Sequence, residues 1–233
     1  MKKTIVAFLF LFLAVPFLNA QGKKPLLDEI LARIAENETK IKSIELEFSQ
    51  EMSFSIINET NTFIGQLKYK HPDKLYYQTF TSPAKDKIKQ VIVSNGEKLW
   101  AYNVEANQVL VDQWKNWKGI GYFLPGLYNP KGKVTDLNKT YKFVLDSEDE
   151  KNYILLLTPK KKIKSMFDAQ LGSSFKFYLW ISKTDYYPVK SKFIAENITA
   201  TTEILSYKPG AEIPDETFNF KIPEGAEVLR MFK

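Results

Sequence analysis

The sequence predicts a mainly β (α+β) protein, with one N-terminal helix followed by about eleven strands in a single antiparallel sheet. Three observations support this class. Apolar residues recur at helical spacing between residues 25 and 38, most of the later chain alternates apolar and polar residues, and turn-forming residues separate these short runs. A sheet of about eleven strands must curl or close to bury its apolar side.

The first 20 residues have the three parts of a secretory signal peptide. Lysines follow the initial methionine, residues 5–18 are apolar, and Ala20 provides a small residue at a plausible cleavage point. The apolar run is shorter than the roughly 20 residues that a helix needs to span a bilayer. We therefore expect export and cleavage near Ala20, with residues 21–233 forming a single domain.

The composition argues against several kinds of chemistry. The chain has no cysteine, which excludes disulfides and thiolate catalysis, and its single histidine, His71, excludes a multi-histidine metal site. No nucleophile elbow, phosphate loop or dinucleotide fingerprint occurs. A formal charge of +6 is ordinary, and an exported chain is not expected to meet nucleic acid. We expect no catalytic residues, no cofactor and no metal.

The helix predicted over 25–38 begins at Pro25, has Asp28 and Glu29 in its first turn, and carries leucines and isoleucines three and four residues apart. Alternation with a period of two begins immediately after it. The predicted strands of this half cover residues 44–48, 63–69, 75–80, 90–93, 99–102 and 109–111.

An apolar segment rich in Trp, Tyr, Gly and Pro interrupts the alternation from 113 to 140, and a segment of this kind must pack against or cover something. Strands are then predicted at residues 141–145, 153–158, 174–181, 188–195, 199–207 and, last, 218–222. The acidic hairpin tip at 146–150 lacks the spacing and the glycine of a calcium loop, so we interpret it as a solvated turn.

Five motifs occur in order: IELEFSQ at 44–50, GQLKYKHPDKLYY at 65–77, VSNGEKLWAYN at 93–103, YILLLTPK at 153–160 and FNFKIPEGAEV at 218–228. Together they resemble the LolA family of periplasmic lipoprotein carriers over essentially the whole mature chain. The resemblance implies an incomplete β-barrel whose concave, apolar face is covered by helices. It also implies a monomeric periplasmic protein that takes acylated lipoproteins from an inner-membrane ABC transporter to the outer membrane, where a receptor could accept them.

An apolar cavity suits this task, because each CH₂ group that an acyl chain buries contributes about 0.8 kcal/mol. The lid that would cover the cavity is predicted over 120–128. The expected lipid-binding residues lie on one face of successive strands or in this lid: Leu46, Phe48, Phe63, Leu67, Tyr69, Leu75, Tyr77, Trp100, Tyr102, Phe123, Leu124, Leu127, Phe177 and Leu179. For each strand residue, ordinary core packing against the helix is the alternative.

His71 stands where the family has an arginine whose hydrogen bonds hold the lid shut. A neutral imidazole offers one donor instead of five, so a latch at His71 would be weaker or pH-sensitive, or the lid would close in another way. The one dense basic run comprises Lys160, Lys161, Lys162 and Lys164. Two interpretations of this run stay open. It contacts anionic lipid or an acidic partner, or it is a solvated connection between two strands.

Two other functions stay open from the sequence. A related half-barrel could bind lipids or glycolipids, or sense envelope stress, without sorting lipoproteins. A hydrolase could use the groove, and it would need a polar constellation inside the cavity.

Overall fold

The computed structural model describes residues 27–81, 84–117, 141–160 and 175–231. Its one α-helix in these ranges, α1, spans Leu27–Lys40. Acidic residues in its first turn and Lys40 in its last turn complement the helix dipole. Ile30, Leu31 and Ile34 are buried and lie within one turn of each other, so α1 presents one apolar side, as the spacing predicts.

Twelve strands in the described residues form one sheet. They are β1 (Ser43–Phe54), β2 (Glu59–Lys70), β3 (Lys74–Phe80), β4 (Ile88–Asn95), β5 (Lys98–Asn103), β6 (Gln108–Gln113), β7 (Tyr141–Glu148), β8 (Asn152–Pro159), β9 (Lys176–Ser182), β10 (Pro188–Ile194), β11 (Ile198–Pro209) and β12 (Glu227–Arg230). Each of the first eleven overlaps one of the strands predicted between 44 and 207, and β1 and β2 extend several residues beyond the predicted bounds.

The order across the sheet is β12-β6-β5-β4-β3-β2-β1-β11-β10-β9-β8-β7. Neighbouring strands are antiparallel, except that β12 runs parallel to β6. The central strand β1 pairs with β2 and β11 over nearly its whole length. Within the described ranges the edge strands β12 and β7 do not pair with each other, so the sheet is open. This confirms the predicted incomplete barrel with a covering helix.

The main core lies between α1 and the side of the sheet that we call the inner face. Alternate residues of the strands point to it, because successive side chains on a strand point to opposite faces. The buried inner-face residues that belong to one core cluster with α1 are Ile44, Leu46, Phe48, Leu67, Tyr69, Leu75, Tyr77, Ile92, Leu99, Phe143, Tyr153, Leu155, Leu157, Phe177, Leu179 and Ile181.

The opposite side, the outer face, is covered over β3 to β5 by the segment 210–222. Ile213 and Phe218 pack on Val93 and form a second, smaller core. Trp100 and Phe220 border it, with their rings stacked at a centroid distance of 6.2 Å. The segment therefore buries the outer side of strands whose inner side belongs to the main core.

Asp215 fastens this segment to the sheet. Lys70 Nζ donates to Asp215 Oδ1 at 2.6 Å, and Lys74 Nζ donates to Asp215 Oδ2 at 2.8 Å. Hydrogen bonds from Lys70 and then Lys74 lower the pKa of Asp215 to about 2. Because this carboxylate is exposed, the two ion pairs stabilise the segment only modestly.

The prediction of a last strand at 218–222 is wrong. Residues 215–218 form a single 3₁₀ turn, and the chain then crosses the outer face without joining a ladder. The last strand is β12, nine residues later. Its start is fixed by Asn107, whose Nδ2 donates to Gly225 O at 3.0 Å and whose backbone O accepts from Glu227 N at 3.0 Å.

Candidate functional site

The candidate site is the inner apolar face, because most of the predicted lining residues meet there. Leu46, Phe48, Leu67, Tyr69, Leu75, Tyr77, Phe177 and Leu179 all belong to the cluster that packs on α1, and Phe63 is half-buried at its border. They lie on β1, β2, β3 and β9, where apolar and polar residues alternate as predicted. These residues are at most 6% exposed, apart from Phe63, so the face is closed in this structure.

The placement of Trp100 and Tyr102 on this face is wrong. Both point to the outer face, where Phe220 stacks on Trp100 and approaches Tyr102 at a centroid distance of 6.2 Å. Their neighbours Leu99 and Ala101 take the inner positions instead. β5 is apolar on both sides because the segment 210–222 covers its outer side, so alternation alone could not choose between them.

An aromatic pair shapes the middle of the inner face. Phe48 on β1 lies opposite Gly65 on β2, and its ring extends across that glycine to stack on Tyr77 of β3 at 5.6 Å between centroids. A Cβ on Gly65 would lie 2.1 Å from Phe48 Cζ, so only glycine leaves room for the ring. Burial raises the pKa of the Tyr77 hydroxyl far above its usual value, which keeps it protonated.

A short polar row crosses the inner face on three adjacent strands, and the sequence reasoning did not single it out. Gln50 on β1 lies opposite Thr202 on β11, which lies opposite Ser191 on β10. All three are at most 6% exposed, and Gln50 Nε2 donates to Thr202 Oγ1 at 2.9 Å. The signal was present, because Gln50 continues the alternation of Ile44, Leu46 and Phe48. The row provides polar atoms beside an otherwise apolar surface.

The C-terminal end of α1 is held near the β9–β10 turn. Asn37 Nδ2 donates to the backbone oxygen of Asp185. Nearby, the rings of Tyr187 and Tyr207 lie 4.7 Å apart. Burial, and then the neighbouring Tyr187, Asp185 and Glu38, raise the pKa of Tyr207. Polar contacts at the end of α1 thus add to the apolar contacts along its length.

The β2–β3 turn, which carries His71, is anchored on three sides. Tyr69 Oη donates to Pro72 O at 2.7 Å, Ser94 Oγ donates to Asp73 O at 3.1 Å, and Trp114 Nε1 donates to Asp73 Oδ1 at 2.6 Å. Trp114, placed by the sequence only in an apolar segment, is 2% exposed and belongs to the main core. The turn therefore joins the sheet to the start of the segment that follows β6.

His71 itself is exposed, and its peptide bond to Pro72 is cis. Its backbone N–H donates to Lys42 O at 2.7 Å, and within the described ranges its imidazole makes no hydrogen bond or ion pair. The ring lines an open cleft of about 1030 Å³ between the end of α1 and residues 210–214, which also contains Lys42, Lys70, Glu38 and Glu212. This cleft is charged, unlike the inner face. The predicted latch role of His71 stays a prediction.

Several predicted residues lie outside the described ranges. They are the lid, 120–128, with Phe123, Leu124 and Leu127, and the lysines Lys161, Lys162 and Lys164. Lys160 is described, and it is exposed immediately after β8.

Neither a metal centre nor a membrane-spanning helix is found in the part of the chain that the structure describes. No group of three or more His, Asp or Glu side chains there has a metal-binding arrangement. No helix within the same ranges combines the length and apolar character needed to cross a membrane. Asp112 is the one buried carboxylate in those ranges, and its Oδ1 accepts from Gln113 N at 2.7 Å and from Asn116 Nδ2 at 2.9 Å.

Comparison with known proteins decides the family. The model of the family "Outer membrane lipoprotein carrier protein LolA" matches residues 39–179. The chain belongs to the LolA family. The match covers α1's last two residues, β1 to β8 and the first half of β9, and thus includes most strands of the inner face.

Two relatives agree with the LolA assignment, and one solved structure shares the fold. An outer-membrane lipoprotein carrier protein of Francisella tularensis is 27% identical over 230 residues, which is 98% of this chain and 97% of the relative. One of Legionella pneumophila is 25% identical over 186 residues, 74% of this chain and 76% of the relative. An uncharacterised Thermus thermophilus protein shares the fold at 13% identity, with a TM-score of 0.50 over 87% of this chain and 98% of the other.

Proposed function

We propose that this LolA-family protein is a periplasmic carrier that binds the acyl chains of lipoproteins on its inner face and carries them from an inner-membrane ABC transporter to the outer membrane. The observation that carries the proposal is the inner face itself. Eight predicted lining residues from four strands converge on one apolar cluster under a helix. The lipoprotein-carrier names of the Francisella and Legionella relatives support the choice of cargo.

The energetics suit a carrier. Burying about 15 CH₂ groups contributes roughly 12 kcal/mol for each acyl chain. Part of that free energy offsets the loss of the contacts that close the face, including those of Ile30, Leu31 and Ile34 on α1. Cargo and α1 compete for the same apolar surface, so the closed state of the empty protein lowers the net affinity and assists release.

The polar row indicates how bound cargo is oriented on the inner face. Lipoprotein acyl chains are joined to the polypeptide through ester and amide groups, which need hydrogen-bond partners when they leave water. Gln50, Thr202 and Ser191 offer such partners beside the apolar cluster. We therefore place the polar end of the cargo near this row and the acyl chains toward Phe48 and Tyr77.

The experiment is site-specific photocrosslinking of the mature protein to a synthetic triacylated lipopeptide. A benzophenone amino acid replaces Phe63, which borders the inner face and is half-buried, so the substitution leaves the closed core intact. The matched control carries the same amino acid at Tyr76, which is also half-buried but points to the outer face, against the second core. We expect a crosslink from position 63 that excess unlabelled lipopeptide suppresses.

Two results would contradict this proposal. Equal crosslinking from 63 and 76 would show that lipopeptide binds without using the inner face. Equal crosslinking to the same peptide without acyl chains would show that acyl chains are not what is recognised. In cells, depletion of a lipoprotein carrier should retain lipoproteins in the inner membrane, which fractionation measures directly.

A further inference from the structure

The outer face of β7, β8 and β9 carries an apolar patch that the carrier function does not use. Cross-strand register places Val144 opposite Leu156, Leu156 opposite Tyr178, and Ile154 opposite Trp180. We call these five residues the outer patch. Val144 is 40% exposed and the other four are half-buried. The patch is therefore a nearly flush surface of two aromatic and three aliphatic side chains.

Lysines border the outer patch. Lys192 lies opposite Tyr178, and Lys190 lies opposite Trp180 with its Nζ 5.4 Å from the ring centroid. Lys142 and Lys176 are exposed at alternate positions next to Val144 and Tyr178, so they share the same face. One acidic residue lies beside these four lysines. Glu203 is opposite Lys190 on the neighbouring strand and forms an ion pair with it.

The described residues leave this part of the sheet uncovered. The segment 210–222 packs over β3 to β5, at the other half of the outer face, and α1 packs on the inner face. The two halves of the outer face thus differ. One is covered by the chain's own aromatic residues, and the other presents its aromatic residues beside lysines.

We propose that the outer patch and its lysines dock the protein on a lipid bilayer with acidic head groups. Trp and Tyr prefer the boundary between head groups and acyl chains, and each lysine near an anionic surface adds attraction. Lysine also keeps its charge in water while its stem lies on apolar surface. A protein partner is disfavoured because lysine is depleted at the centres of protein interfaces, whereas Lys190 here lies over Trp180.

The protein could carry cargo while it is docked by this patch, and the docking does not require cargo. On β9, Phe177 and Leu179 point to the inner face while Tyr178 and Trp180 point to the outer face. The bilayer and the cargo would therefore contact opposite sides of the same strand. The two proposals can fail independently, because the crosslinking above needs no bilayer and the test below needs no lipopeptide.

The test uses unique fluorescent labels on the mature protein, which has no cysteine of its own. Val144→Cys places an environment-sensitive dye at the outer patch, and Leu229→Cys places it at the opposite edge of the sheet, where the residue is 38% exposed. Both are mixed at low salt with vesicles of phosphatidylglycerol and phosphatidylcholine, and with phosphatidylcholine alone. We expect an emission increase only at position 144 and only with phosphatidylglycerol.

Charge variants complete the test. Lys176→Gln with Lys192→Gln should weaken vesicle binding by about 25-fold, which is about fivefold for each lysine. The control pair Lys98→Gln with Lys221→Gln removes the same charge from exposed positions at the other half of the sheet and should leave binding within about twofold. The proposal is overturned by absent binding, by equal signals from the two labels, or by equal effects of the two lysine pairs.

Discussion

Gly65→Ala tests whether the Phe48 ring depends on a glycine beneath it. The added Cβ would lie 2.1, 2.6 and 2.8 Å from three ring carbons of Phe48, which is 0% exposed and cannot withdraw into solvent. Overpacking of this kind costs about 1–3 kcal/mol, and losing the stack on Tyr77 adds about 0.5–1.5 kcal/mol. A gain of about 0.4–1 kcal/mol opposes this, because alanine restricts the unfolded chain more than glycine.

We therefore expect Gly65→Ala to lower the free energy of unfolding by about 2–3 kcal/mol in urea denaturation. The decisive measurement is the same substitution in a Phe48→Leu background, where the distal ring carbons are gone. There Gly65→Ala should be neutral or slightly stabilising, which gives a coupling energy of at least about 2 kcal/mol. An equal cost in both backgrounds would refute the reasoning, since the clash would then not involve the ring.

Three further substitutions test the remaining contacts. Asp73→Ala removes the acceptor of the buried Trp114 Nε1–H and should cost about 1–3 kcal/mol in denaturation, whereas a Trp114→Phe background should remove most of that cost. Gln50→Leu alone should cost about 1–3 kcal/mol by leaving Thr202 without its partner, and adding Thr202→Val should restore part of it. Asp215→Asn should lower the melting temperature at pH 7. Because the folded pKa of Asp215 is about 2 against a usual 3.8, its contribution is present above pH 3.8, so the difference from the wild-type protein should shrink as the pH falls from 3.8 to 2.

The inner face could be predicted where a strand is apolar on one side. Leu46 and Phe48 alternate with Glu45 and Glu47, and the structure buries the first pair while Glu47 accepts a hydrogen bond from Lys85 on the outer face. The polar residues between the apolar ones therefore showed which side of the strand is buried. The fold class followed for the same reason, since eleven such strands and a single helix leave few other arrangements.

The outer core could not be predicted, because it depends on contacts between distant parts of the chain. Phe218, Phe220 and Ile222 alternate as a strand would, and only the packing of Phe218 and Phe220 against Val93 and Trp100 shows that the segment is a cover. β12 carries no alternation that distinguishes it, and its parallel pairing with β6 is fixed by the side chain and backbone of Asn107. Periodicity reports which residues are buried, but it does not report which element buries them.

The two halves of the outer face differ in what covers them, and this difference explains how one sheet could contact cargo on one side and a bilayer on the other. Over β3 to β5 the chain supplies its own cover for the outer face, so on those strands only the inner face is left for the proposed cargo. Over β7 to β9 the described residues supply a cover, α1, on the inner face alone, so an apolar outer side such as Tyr178 and Trp180 is retained at a cost in solubility. A purely structural sheet would place polar residues at those positions. The position of Tyr178 and Trp180 beside Lys192 and Lys190 therefore supports the proposal that this half of the sheet meets a second surface.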